Sequence, residues 1–465
     1  MHIIGLFLCL LFGAWLVIRD CRRRRNLSTA LWLPTLMLLV LASRPVSLWL
    51  SGTHQDVVEM GNEASGNLID QLFYVFMLGS SFAVAVNRRT KWGKLFSANM
   101  MITVLYLYFA LSVCWSGDPS GSVKRLVKDF GLIFTVAVIY SEEEPLQAIR
   151  AVYVRCAAVL LPLSVVLIKW FPAYSREYAR NGDISVTGVT MQKNTLGEII
   201  MLFIMFLIWD YVELRPPGVR SWWRRPSWDH VVLIAAGAWL LRLSHSKTAL
   251  LCLLVGAAIF LRGAAFRSKA VNRTILFVAL SLPILLFFSG EFHSVIAPLI
   301  GVLGRSMTFT GRADIWAHID LKTVDPIIGA GYWNFWGGPG GAAIMREMTT
   351  IIPNAHNGYL DMYLDGGFIG ITILFFVLLC SGLHIMGQFR GPYGRFARLR
   401  FAVLIVVIIY NLSESTYARL GTSWFTALVV MLDFPVLSVA KTAQNALMQR
   451  KSSMLQQRPA ELLNH

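Results

Sequence analysis

Apolar runs of bilayer-spanning length recur from one end of this chain to the other. A helix needs roughly 20 consecutive apolar residues to cross the hydrocarbon core. Inside lipid the backbone must satisfy its own N–H and C=O groups, which restricts such runs to helices. The chain is therefore expected to be all-α, a polytopic membrane helical bundle. The runs fall near 2–18, 29–50, 68–86, 95–115, 126–140, 147–169, 195–213, 229–243, 247–262, 273–289, 360–386, 400–412 and 420–438. They predict about 12 to 13 transmembrane helices. Composition agrees: 56% of the residues are hydrophobic and only 15% are charged. A water-soluble domain of this length would carry more charge, because its surface would otherwise associate. The first run lacks a basic start, and the basic stretch from Arg19 to Arg25 follows it. It reads as a first spanning helix rather than a cleaved leader.

The formal charge of +16 invites a nucleic-acid reading. The distribution excludes it. Lys and Arg come as short clusters between apolar runs, as the positive-inside rule requires, and not as one stripe interleaved with aromatics. With RDCRRRRN (19–26) in the cytoplasm, alternation also sends inward 87–94, 141–145, 215–228, 262–273, 388–400 and the tail from Lys441. These stretches hold more than half of the 42 Lys and Arg. The N-terminus then faces outward and the C-terminus inward. SEEEP (141–145) is the poor fit, although acidic residues contribute little to orientation. The six cysteines, Cys9, Cys21, Cys114, Cys156, Cys252 and Cys380, lack metal-ligand spacing. They suggest neither a metal site nor a disulfide framework.

The longest loop, Gly290 to Asn357, falls on the outer side. Loops of this length are usually functional or disordered, and this one is patterned. TGRADIWAHIDLK (310–322) predicts a short amphipathic helix capped by Thr310 and stopped by Pro326 and the glycines after it. Tyr332, Trp333, Phe335 and Trp336 suit either the membrane interface or a platform on which sugar rings stack. No internal repeat marks two inverted halves. The chain divides into N-terminal helices (1–186), a region containing the loop (187–438) and a cytoplasmic tail (439–465).

The strongest local signal is AHNGYLDMYLDGGFIG (355–370). His356 falls where the long loop meets the next helix. Neutral imidazole can accept a proton from a sugar hydroxyl, and its ordinary pKa of about 6.5 suits that work; an interfacial His that only caps is the alternative. Gly366, Gly367 and Gly370 would allow close helix approach. Arg312, beside Gly311, offers a planar fork for phosphate. Lys193 and Asn194 open a helix on the outer face, a natural anion site. Arg242, His245 and Lys247 crowd a short outward turn, which is unusual under positive-inside. Glu414 is an outward acid placed to orient a His or an Arg. Arg44 and Arg155 lie within apolar runs, where a charge is costly, and are expected to face the bundle interior. Outward turns far apart in sequence thus each present a cation, and another presents His356. A lipid diphosphate at the outer surface would need such a set.

In this combination the chain resembles the O-antigen ligase and polysaccharide polymerase family. The resemblance is clearest over about 187–420. The family's H-[NSQ]-x9-G-x-x-G pattern is met at His356, Asn357, Gly367 and Gly370. The GR-x-x-x-W at 311–316, the G-x-G at Gly329–Gly331 and the KN-x-x-G at 193–197 also fit. The KN and S-x-SKTALL segments look more like the exopolysaccharide-polymerase branch. The resemblance implies a bacterial inner-membrane enzyme with a periplasmic site, an undecaprenyl-diphosphate-linked oligosaccharide donor and a glycan or lipid A core acceptor. Arg312, with Lys193 and Arg242 or Lys247, would hold the diphosphate. His356 would act on the acceptor hydroxyl, and Asn194, His245, Asn357, Trp316 and Glu414 would complete the donor and glycan contacts. The transfer would invert the anomeric centre, without metal or other cofactor. Membrane lipids and other polysaccharide assembly proteins are the remaining partners implied. A ligase joining the glycan to lipid A core is the first alternative. In that branch an arginine is expected near Lys193, which puts the phosphate contacts in question. A flippase for lipid-linked sugars and a structural partner without activity are the alternatives of other classes.

Overall fold

A computed structural model describes residues 2–51, 67–178, 184–214, 227–262, 268–288, 312–319, 321–348 and 352–434. Thr310, Gly311 and the tail 439–465 lie outside the described residues. The helices are α1 (His2–Arg23), α2 (Trp32–Leu41), α3 (Val46–Ser51), α4 (Leu68–Asn87), α5 (Trp92–Ala98), α6 (Met100–Ser112), α7 (Pro119–Tyr140), α8 (Pro145–Trp170) and α9 (Pro172–Ser175). They continue with α10 (Lys193–Glu213), α11 (Trp228–Leu243), α12 (Lys247–Leu261), α13 (Lys269–Phe288), α14 (Arg312–His318), α15 (Pro339–Glu347), α16 (Gly358–Gly387), α17 (Gly394–Tyr410) and α18 (Thr422–Met431). A small antiparallel hairpin, Arg176–Tyr178 with Ile184–Val186, interrupts an otherwise helical chain.

Each expected apolar run holds helix. Among the described residues five helices are long and apolar enough to cross a membrane: α1, α4, α8, α10 and α16. The bent pair α5–α6, broken by 97° at Asn99, makes a sixth if counted as one span. Several other runs form shorter helices, such as α12 and α18. The chain is thus an all-α polytopic bundle. Its apolar positions face two ways. α8 and α10 are mostly buried at the centre, whereas α1 lies on α8 with Ile3, Phe7, Leu8 and Trp15 exposed. Exposed apolar rings and branches on a helix are stable only against lipid.

Local chemistry sets the helix starts. The Asn67 side chain accepts from Ile69 N at the start of α4, and Asp118 accepts from Gly121 N at α7, where Pro119 holds the first position.

Several of the loops that charge alternation assigns to one side meet at one end, among the described residues. Asn26 and Ser28 meet Glu144 and Glu142, and Glu142 pairs with Arg88 at 2.8 Å. This explains the acidic SEEEP turn, because its carboxylates neutralise cations of the neighbouring loops. Burial pushes the Glu142 carboxyl up, but the two Ser28 donors and Arg88 more than offset it and hold it below its ordinary value. Arg23 pairs with Asp229 at 2.8 Å, Arg395 with Glu213 at 3.2 Å, and His384 with Asp433 at 3.0 Å. Deeper in this basic end, Asp210 binds Arg24, Arg150 and His230, and Asp20 binds Arg24 and Arg155. Arg155 therefore faces the interior, as its cost in lipid requires. Arg44 does too, at the other end, where its guanidinium binds the carbonyls of Tyr174, Gly188 and Thr190. It clamps the hairpin to the α2–α3 break.

The opposite end carries the long loop, which has a small apolar core of its own. Ile315, Val324, Phe335, Trp336, Ile344 and Ile352 pack together over Leu364 of α16.

Candidate active site

The site is built where α16 begins. Asn354 Oδ1 accepts the His356 amide at 2.9 Å, and the chain then turns through a left-handed backbone at His356 (φ 50°). Asn357 caps α16, its side chain accepting from Tyr359 N and Leu360 N. The Gly358 amide donates to both Asn411 O and Glu414 O at 2.9 Å. A side chain at 358 would run into the Asn411 amide. The start of α16 is thereby fixed to the loop that follows α17.

Glu414 sits on that loop and bridges two side chains. Its Oε1 accepts from Arg312 Nη2, and its Oε2 lies 3.4 Å from His356 Nδ1. Burial pushes the Glu414 carboxyl up; Arg312 and His356 more than offset this and hold it below its ordinary value. A carboxylate at Nδ1 favours the proton there, leaving Nε2 of a neutral His356 as the acceptor. Arg312 is buried, and among the described residues its Nη1 has no hydrogen-bond partner. Such a donor is costly to leave unsatisfied.

Beneath this trio lies a carboxylate that sequence reasoning missed. Asp361 accepts from the Ala355 amide at 3.1 Å, from Trp336 Nε1 at 2.6 Å and from Ser415 Oγ, and pairs with Arg419 at 3.2 Å. It therefore holds the residue before His356 and the residue after Glu414 together. Asp365, one turn on, lies 3.6 Å from the same Arg419 and accepts from Phe335 N. Arg419 also lies over the Trp333 ring, 4.6 Å from its centroid. The available signal was the four-residue spacing in LDMYLD, which puts two acids on one helix face.

The remaining expected site residues divide. Tyr410 OH donates to Asn194 O at 3.2 Å, and Ser413 Oγ meets Thr248 Oγ1 at 3.2 Å. These contacts set the first turns of α10 and α12, with Lys193 and Lys247, beside the loop of Glu414. Three helix N-termini, those of α10, α12 and α16, thus share one end with Arg312. Arg242 and His245 are exposed on the α11–α12 turn. Among the described residues no hydrogen bond or ion pair joins them to the trio. Trp316 Nε1 donates to Ala355 O at 2.7 Å, so the ring braces the residue before His356. Arg44 and Arg155 lie elsewhere, each engaged as described above.

Two expectations need correction. Tyr332, Phe335 and Trp336 are buried and belong to the packing, so they form no open sugar platform; Trp333 alone of the four is half-buried. Gly367 does not serve a helix–helix contact. It breaks α16 (φ 59°), and a Cβ there would lie 2.3 Å from Ile327 backbone atoms. The glycine admits the long loop, whose Pro326 and Ile327 carbonyls accept from Phe368 N and Ile369 N. Gly366 and Gly370 do face another helix, through the Tyr108 ring of α6.

Residues 231–375 match the family model described as O-Antigen ligase. The stretch from α11 into α16 is thus similar to the O-antigen ligase family. The match runs from α11 into α16 and includes Arg312 and His356, while Lys193 and Glu414 lie outside it. No curated protein matches the chain. This similarity, with the apolar helices around it, supports a multi-pass membrane protein of glycan transfer, ligase-like or polymerase-like. Such transfer takes a lipid-linked glycan donor and a glycan acceptor.

Proposed function

We propose that this chain is a polysaccharide polymerase of the bacterial inner membrane. It transfers a glycan from undecaprenyl diphosphate to a glycan acceptor on the periplasmic face. The observation that carries the reading is the Glu414 bridge between Arg312 and His356, with Arg312 Nη1 unpartnered among the described residues. A phosphate oxygen of the donor binds Nη1, and the N-termini of α10 and α12 add positive potential from Lys193, Lys247 and their helix dipoles. His356 Nε2 accepts the proton of the acceptor hydroxyl as its oxygen attacks the anomeric carbon. The bond from that carbon to the diphosphate oxygen breaks, and the lipid diphosphate leaves with its added charge stabilised by Arg312. Attack opposite the leaving group inverts the anomeric centre. Glu414 stabilises the imidazolium formed and fixes its orientation. Loop charge supports the periplasmic assignment, and the SKTALL segment at 246–251 supports polymerase over ligase.

His356→Ala and Arg312→Ala are expected to insert and fold yet to lose glycan transfer by about 100-fold or more. The assay is purified protein in detergent, supplied with a lipid-linked repeat and scored for chain lengthening on a gel. Normal lengthening by both variants would overturn the assignment. A flippase would give no lengthening even as wild type, since detergent leaves no membrane sides. Transfer to lipid A core but not to a second repeat would make the chain a ligase.

A further inference from the structure

The long loop holds a pocket that the transfer step does not use. Its volume is about 400 Å³, and His318, Thr323, Asn334, Phe335, Ala343 and Glu347 are among the residues that line it. We propose that this pocket is a subsite for an uncharged sugar of the glycan, one or more residues away from the reacting end. This rests on the transfer reading above, because it extends the same glycan path.

The pocket is mixed in character. Asn334 Nδ2 donates to Ala330 O at 3.0 Å, and its Oδ1 accepts from Asp118 N at 3.1 Å. One buried amide therefore fixes the wall to the membrane bundle. Phe335 and Ile344 belong to the buried core of the loop and close the floor of the pocket with apolar edges. The rim is polar. His318 Nδ1 donates to Asp314 O at 2.6 Å, which leaves Nε2 of the neutral ring as an acceptor. Glu347 is exposed at the end of α15, and its two carboxylate oxygens suit a pair of neighbouring hydroxyls. An apolar base with a few fixed polar groups, and a volume within the roughly 300–1,000 Å³ of ligand pockets, is what small-molecule recognition uses.

Position and charge narrow the ligand. Arg312 opens α14 and His318 closes it. Six steps at a rise of 1.5 Å place the pocket edge about 9 Å along the helix from the active-site arginine. A glycan whose reacting end sits between Arg312 and His356 would meet the pocket with its next sugars. Among the described residues no Lys or Arg lines it, and Glu347 would repel a carboxylate or phosphate. The subsite therefore selects neutral sugars, while the Arg312 end handles the phosphates.

The test uses the purified full chain in detergent and saturation-transfer NMR. The probe is the neutral oligosaccharide fraction released by mild acid from the producing cell's surface glycan, with glucuronic acid as the charged control. Ala343→Trp, which fills the pocket, and the exposed changes His318→Ala and Glu347→Gln are compared with wild type. Transfer to the neutral fraction is expected in wild type and in His356→Ala. It should fall about tenfold in Ala343→Trp and several-fold in the two rim variants, as the loss of one good polar contact implies. Equal transfer in wild type and all three pocket variants would overturn the proposal, as would wild-type transfer confined to glucuronic acid or absent altogether. This readout needs no turnover. If His356→Ala still lengthened glycan, the reaction reading would fall while the NMR comparison still decided the subsite.

Discussion

Glu414 is held in place by the same charges it orients. Its side chain is largely buried between Arg312 and His356, and desolvation alone would push its carboxyl up. The Arg312 guanidinium reverses that direction, so the group ionises more readily folded than unfolded. The sign for stability follows. A depressed carboxyl contributes stability that is complete above the ordinary value of 4.5 and is lost as pH falls through the lower folded value. Glu414→Gln should remove that contribution and leave Arg312 as an uncompensated buried charge. A loss of about 3 kcal/mol is expected, the scale for breaking one partner of a buried pair. Thermal unfolding in detergent, followed from pH 6 downward, checks it. Wild type should lose its advantage over the variant below about pH 4, near the ordinary carboxyl range. A gap between the two that stays constant as pH falls would sink the assignment of the charge to Glu414.

At the scale of elements, the decisive event is the break in α16. The loop 326–331 lies against the helix backbone, with Ala330 N and Gly331 N donating to Leu364 O and Asp365 O, both at 2.9 Å. That contact needs the left-handed glycine at 367 and no side chain on it. Gly367→Ala combines an unfavourable φ with a backbone clash, so it should cost more than the roughly 1 kcal/mol of an ordinary helix substitution, about 2–4 kcal/mol. Limited proteolysis should then cut the long loop faster, at unchanged membrane insertion. Equal cleavage rates in wild type and variant would show that the loop is held elsewhere. The same element shows what was legible in the sequence. The apolar runs marked where helices form, and loop charge marked several of the loops that meet at one end, because period and charge are local properties. His356, Arg312 and Glu414 were legible as residue types with a task. The meaning of Gly367 was not, since its partner is a loop backbone some 40 residues earlier, and backbone carries no residue signal. Asp361 stayed hidden for a related reason: three of its four partners are brought to it by the fold.

Across the whole molecule, ionic groups are concentrated at two ends and do different work. At the site end Arg312 keeps a nitrogen that is unpartnered among the described residues, whereas at the basic end the buried carboxylate of Asp210 is saturated by Arg24 at 2.6 Å, His230 at 2.7 Å and Arg150. The saturated cluster ties α1, α8, α10 and α11 together and offers nothing to a ligand. Asp210→Ala should therefore act on stability alone. It strands Arg150 in a buried place, while Arg24 keeps Asp20, which costs about 3–5 kcal/mol. α10 carries Asp210 near one end and Lys193 at the other, and its 21 residues separate the two ends by about 30 Å. Perturbations farther apart than about 10 Å are usually additive. The expected outcome is a lower unfolding temperature with unchanged transfer rate per folded molecule, read from thermal unfolding and glycan lengthening on one detergent preparation. A rate that fell in step with stability would mean that α10 couples the basic end to the site. The bundle would then be a working part of the transfer and not only the frame that holds Arg312, Glu414 and His356.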